Sequence, residues 1–107
     1  MATLPGETIE RLTRLLREAA QPSRIILFGS HARGDASEDS DVDILVVERN
    51  PVDRGAEMVR LNRLLRTLNL SVDLLVVSAD KFDYWRDTPG NVYYEAALEG
   101  KVLYEAA

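Results

Sequence analysis

Two short apolar runs, residues 24–28 (RIILF) and 44–47 (ILVV), are joined by a connection that carries acid where a strand should begin. Gly29-Ser30 is followed by ten residues and then by Asp41-Val42-Asp43. This spacing constrains the fold more than any other feature of the chain. Short β-branched runs bounded by glycine and polar residues read as buried strands. Period-two alternation in the second run puts Val42, Ile44 and Val46 on one face and Asp43, Leu45 and Val47 on the other. An ordinary strand–turn–strand connection needs turn residues, but it has no need for acid on the strand itself.

The remaining segments supply helices and one more clear strand. Residues 7–20 carry Ile9, Leu12, Leu15, Leu16 and Ala19 on a single helical face. Pro22 ends that helix. The stretch SHARG predicts a short helix with Ser30 at its N-terminus, and 35–41 is polar loop. A helix is predicted over about 52–68, striped by Met58, Leu61, Leu64, Leu65 and Leu68, with Gly55 weakening its first turn. SVDLLVVS is a third strand, and ADKFDYWRD a short helix. Residues 91–99 form a last helix, with Gly100 expected as a left-handed cap. KVLYE is a final strand or extended tail. Strands alternating with helices give an α/β layering on a small sheet, and a chain of 107 residues is expected to form one domain over 1–107.

Composition narrows the functional classes. Hydrophobic residues at 46% and charged residues at 29% argue against disorder. The absence of cysteine excludes disulfides, zinc–thiolate sites and thiol nucleophiles. The opening segment lacks the apolar core of a signal peptide. No apolar run is long enough to span a bilayer, so the expected setting is cytoplasmic, with no membrane partner. A formal charge of −5 weighs against direct nucleic-acid binding, which rests on a basic footprint. Asp35, Glu38, Asp39, Asp41 and Asp43 fall within nine positions, and two bound divalent cations would bring the charge to −1.

Asp41 and Asp43, two apart on a strand, emerge on the same face roughly 7 Å apart at their Cα atoms. Asp73 lies on an otherwise apolar strand, where aspartate is depleted and rarely buried without a partner. If the strands bearing Asp43 and Asp73 are neighbours, three carboxylates converge, a hard oxygen donor set that suits Mg²⁺ or Mn²⁺. Gly29 allows close backbone approach, and Ser30 at a helix start offers N–H groups and a hydroxyl to an anion. Phosphate on one side and metal-holding acids on the other describe a nucleoside triphosphate site. It is not a P-loop, because no Gly-Lys-Ser/Thr follows the glycine. Taken singly, each part has a plainer explanation: a turn, a solvated strand start, and an edge-strand acid at Asp73 that guards against aggregation. Their joint occurrence in one short chain favours a site.

The run FGSHARGDASEDSDVDILV, with its Gly-Ser, ten residues and Asp-x-Asp, together with the ending TPGNVYYEAALEGKVLYE, resembles the minimal nucleotidyltransferase (MNT) family of the DNA polymerase β-like superfamily. The resemblance spans nearly the whole chain. It implies a nucleotidyltransferase fold like the polymerase β palm, α/β (α+β), with a small mixed sheet flanked by helices. It also implies that Asp41 and Asp43 hold two Mg²⁺ ions (or Mn²⁺). Asp73 would be the third carboxylate, a ligand of one metal that helps activate the acceptor hydroxyl. Gly29 and Ser30 would hold the triphosphate, with Arg33 as a further phosphate contact. The implied reaction is transfer of a nucleotidyl group, AMP from ATP before other nucleoside triphosphates, with loss of pyrophosphate.

Larger relatives bind their acceptor with additional domains, and a single domain over 1–107 is expected to rely on a partner for this instead. Members of the family commonly pair with a HEPN-domain toxin, and the resemblance implies an antitoxin that modifies a tyrosine of such a partner within a shared oligomer. An alternative is a non-catalytic antitoxin that neutralises its partner by occlusion. Transfer to a small molecule or RNA inside an oligomer is a third possibility. His31, the sole histidine, is left outside the site because the two-metal reaction does not require it. The C-terminal aromatics are expected in the core, with Tyr84 and Tyr104 as exposed exceptions. The arginine rows at 11, 14 and 17 and at 60, 63 and 66 are expected to be solvated helix faces.

Overall fold

The alternation of apolar positions is realised as a four-stranded sheet with helices on both faces. The computed structural model describes residues 4–49 and 53–106. Helix α1 (Gly6–Ala20) leads into β1 (Arg24–Phe28), and the four-residue α2 (Ser30–Arg33) follows directly. Next come β2 (Val42–Glu48), α3 (Arg54–Leu65) with a 3₁₀ turn at Arg66–Leu68, β3 (Val72–Ser78), α4 (Ala79–Trp85), α5 (Val92–Glu99) and β4 (Lys101–Glu105). The strand order is β3-β2-β1-β4. β1 runs antiparallel to both β2 and β4, whereas β2 and β3 are parallel and joined through α3, so the sheet is mixed.

Local chemistry fixes the helix starts. Asp53 caps α3 by accepting from the Ala56 N–H at 3.0 Å. Ser78 accepts from Lys81 N–H, and Asn91 from the N–H groups of Tyr93 and Tyr94. Each cap satisfies donors that a first turn leaves free. The expected start of α3 near Val52 lies outside the described residues, and the cap at Asp53 sets the helix from Arg54.

Even-numbered residues of β2 and β3 join Leu12 and Leu16 of α1 and Leu61 and Leu65 of α3 in one core layer. Odd-numbered residues (Leu45, Val47, Val77) meet Phe82 of α4 and Tyr93 and Ala96 of α5 in the other. Asp43 and Asp73 share the parity of this second layer. Among the described residues, no helix is long and apolar enough to cross a membrane.

Two expectations need correction. Gly100 is not a left-handed cap: its φ of −72° and ψ of 159° are extended. A Cβ there would lie 2.2 Å from the Ala96 carbonyl oxygen and 2.5 Å from Ile26 Cγ2, so glycine is required by the close passage of α5's end over β1. Tyr104 is not an exposed contact. It packs half-buried against the first core layer, with the Arg17 guanidinium 4.4 Å from its ring centre. Tyr84 is exposed as expected, at 73%, and stacks edge-on with Trp85. Arg60 is exposed as expected of its row, and from there it pairs with Glu57 at 2.7 Å and donates to the Ala19 carbonyl.

Candidate active site

The antiparallel pairing of β1 and β2 sets Phe28 opposite Asp43, which brings Gly29 against the first turn of the acid-bearing strand. The parallel pairing of β2 and β3 sets Asp43 opposite Asp73. The expected neighbour relation between these two acids therefore holds, and it holds in register. Asp41 lies one step outside β2, on the same side as Asp43 by the strand's alternation. The three acids thus lie where the C-terminal end of β1 meets the N-terminal ends of β2 and β3.

Gly29 fits this corner because of two constraints. Its backbone (φ 74°, ψ −157°) lies in a region that essentially only glycine occupies. In addition, a Cβ would stand 2.1 Å from Asp43 Oδ2, in the space that the carboxylate fills. The chain then turns into α2, where the N–H groups of Ser30 and His31 precede the first intrahelical acceptor and remain available. The Gly29 carbonyl accepts from Ala32 and Arg33, and the Ser30 carbonyl from Gly34 and Asp35, which holds the elbow rigid.

Electrostatics mark Asp43 as the strained member. Its carboxyl is pushed above the usual aspartate range, first by burial and then by the charges of Asp73 and Asp41. His31 and Arg33 oppose the shift. A like-charged group held this way is relieved by a bound cation. Asp41 and Asp73 are exposed and Asp43 is half-buried, so an ion could approach from solvent. Among the described residues, no three acidic or histidine side chains are drawn tightly enough to enclose an ion by themselves. The donor set nonetheless fits a hard divalent cation: carboxylate oxygens from two paired strands, with Gly29 leaving room for one of them.

Arg33 is exposed, and its ion pairs run to acids other than those of the strands. Its Nε–H donates to Asp35 at 3.2 Å and one terminal nitrogen to Glu99 at 3.3 Å, contacts that raise its already high pKa. The geometry thus leaves it tied to α5. His31 donates from Nε2 to the Ser40 carbonyl at 3.2 Å and staples the connection just before Asp41. Sequence reasoning passed over Ser71, whose hydroxyl donates to Asp41 Oδ1. The available signal was parity, since Ser71 and Asp73 are spaced like Asp41 and Asp43. A cavity of 770 Å³ lies at the far end of the sheet, lined by residues that include Arg14, Arg17, Gln21, Glu48 and Tyr104, and holds none of these acids.

Residues 9–103 match the profile of the nucleotidyltransferase domain family. The protein adenylyltransferase MntA of Thermococcus cleftensis is 40% identical over 86 residues, spanning 76% of this chain and 86% of that protein. Among solved structures, a chain of a toxin–antitoxin complex crystallised with AMP-PNP superposes with a TM-score of 0.67 at 24% identity, covering 92% of this chain and 73% of that one. A chain from the complex of tri-AMPylated Shewanella oneidensis HEPN toxin with MNT antitoxin gives a TM-score of 0.61 at 22% identity, over 94% and 71%. At these identities the structural likeness establishes the fold.

Proposed function

The chain belongs to the nucleotidyltransferase domain family, and from that premise we propose that it transfers AMP from ATP to a hydroxyl of a HEPN-type toxin partner, a tyrosine hydroxyl, and so acts as an antitoxin. The in-register pairing of Asp43 with Asp73, beside the Gly29 elbow, carries the reading. Protein adenylyltransferase activity in the Thermococcus relative, and the AMPylated toxin in the Shewanella complex, support both the reaction and the kind of acceptor. The expected setting is the cytoplasm, in complex with the partner.

Asp41, Asp43 and Asp73 would hold two Mg²⁺ ions, for which Mn²⁺ can substitute. When bound, these supply positive charge to the triphosphate and lower the cost of charge build-up during displacement. The chain's own residues do the rest. Gly29 and Ser30 receive the triphosphate on backbone N–H groups and the Ser30 hydroxyl. Asp73, on the edge strand and exposed, faces an incoming acceptor and takes its hydroxyl proton. The acceptor oxygen bonds to the α-phosphorus, the bridge to the β-phosphate breaks, and pyrophosphate leaves. Arg33 keeps its second terminal nitrogen free of the Asp35 and Glu99 pairs, so that nitrogen can donate to a phosphate.

Transfer of label from ATP labelled at the α-phosphate, with Mg²⁺, to a HEPN partner tests the proposal. Label on the partner, lost in the Asp41→Asn/Asp43→Asn double variant, is the expected result. A partner that stays unlabelled yet is still bound and silenced, equally by wild type and double variant, would replace the enzyme with an occluding antitoxin.

A further inference from the structure

We infer that Ser71 is a positioning residue that holds the Asp41 carboxylate in the orientation a divalent cation needs; the inference rests on the nucleotidyl-transfer reading above. The parallel register places Val42 opposite Val72 and Asp43 opposite Asp73, so Asp41 faces Ser71 across the start of the two strands. The Val42 N–H donates to the Ser71 carbonyl at 2.9 Å and fixes the backbones at this point. The Ser71 hydroxyl then donates to Asp41 Oδ1 at 2.5 Å.

Both side chains are exposed, so burial does not force this contact, and water could serve either group. What the contact accomplishes is directional. Ser71, one step before β3, shares the side of Asp73 by the strand's alternation, and its bond holds the Asp41 carboxylate on the side of its own strand that faces β3. Oδ2 and the remaining lone pair of Oδ1 stay free. A neutral donor does this without cancelling the negative charge that attracts a cation, as lysine or arginine would. Donors behind the ligands orient metal-binding carboxylates in this manner, and their loss typically weakens metal affinity about 10–100-fold. The two strands therefore present Asp-x-Asp against Ser-x-Asp, and three acids with one hydroxyl frame the site.

The test is Mn²⁺ binding, read by electron paramagnetic resonance of the free ion, with a non-hydrolysable ATP analogue present. Ser71→Ala should weaken Mn²⁺ binding about 10-fold, with an unchanged melting temperature in the absence of metal. Ser71→Thr keeps the hydroxyl and should keep the affinity. In the transfer assay the alanine variant should need about 10-fold more Mg²⁺ for half-maximal rate, with the loss recovered at high Mg²⁺. Wild-type affinity in Ser71→Ala, alongside weakened binding in Asp41→Asn, would overturn the role of Ser71 and leave the metal site standing. Wild-type protein that binds no Mn²⁺ would overturn both this inference and the reading beneath it.

Discussion

Gly29→Ala separates backbone strain from displacement of the site, because the structure supplies a matched control. At Gly29 an added methyl meets two penalties. The conformation at φ 74° and ψ −157° costs a non-glycine residue about 1–3 kcal/mol. The new Cβ also falls 2.1 Å from Asp43 Oδ2, so the carboxylate must swing away from Asp73 or the elbow must open. Gly34, five residues on, has φ of 87° but nothing within 4 Å of the place a Cβ would take, so alanine there meets strain alone. Its left-handed conformation costs alanine roughly 1–2 kcal/mol. Urea unfolding should therefore show both variants destabilised by about 1–3 kcal/mol. Adenylyl transfer should part them. A misplacement near 1 Å at reacting groups costs about 100-fold, so Gly29→Ala should lose at least that much, while folded Gly34→Ala stays near wild type. Equal activity in the two variants, with equal destabilisation, would refute the claim that Gly29 makes room for Asp43.

Glu48 provides a prediction about pH. It is buried at the end of β2 with Oε2 lacking a hydrogen-bond partner, and its pKa is pushed from the ordinary 4.5 up to about 7. Burial is the main cause, then the bond to Glu57 and its charge, with Arg60 opposing. Because the folded state favours the proton, this stability is full below about pH 4.5 and lost as pH rises through about 7. The shift corresponds to about 3 kcal/mol, partly offset by Glu57, whose pKa is lowered by the same contact. Glu48→Gln should flatten thermal stability between pH 5 and pH 8 and exceed wild type by about 2 kcal/mol at pH 8; a wild type already flat over that range would contradict it. Gly100→Ala should cost about 1–3 kcal/mol by crowding Ile26 and the Ala96 carbonyl. Gly100→Asn should be no milder, since a left-handed backbone is not what the position requires, and a near-neutral asparagine variant would restore the cap.

The parts legible in the sequence are those fixed by local rules. Apolar patterning placed α1, α3 and the first three strands to within a few residues, because each buries a regular face, whereas KVLYE, mostly exposed, does not by itself separate strand from tail. Asp73 could be singled out because aspartate flanked by Val72 and Leu74 is out of character for a strand. What stayed hidden depends on segments distant along the chain. Gly100 carries the composition of a cap, and the close approach of Ile26, 74 positions earlier, together with the Ala96 carbonyl makes it a packing glycine instead. Tyr104 is covered by Arg17 from the first helix. The pairing of Arg33 with Glu99 of α5, 66 positions away, was likewise not legible. Glu48 ended an apolar strand like any solvated terminal acid, until α3 folded Glu57 over it.

The topology explains why so short a chain can gather a site from three separate segments. An antiparallel β1–β2 pair returns the chain to the end of the sheet it has just left, so the elbow at Gly29 and the acids at 41 and 43 meet without any long loop. A parallel β2–β3 pair, reached through α3, starts the third strand at the same end, so Asp73 arrives beside Asp43 rather than at the opposite edge. An antiparallel β3 paired at the same position would have preserved that contact but reversed the strand, moving Ser71 away from Asp41 and toward Leu45. The mixed sheet is thus the arrangement that aligns Asp-x-Asp with Ser-x-Asp residue by residue. The like charges it concentrates are left with Asp43 half-buried and its proton affinity raised, a condition that a cation and a triphosphate together would relieve.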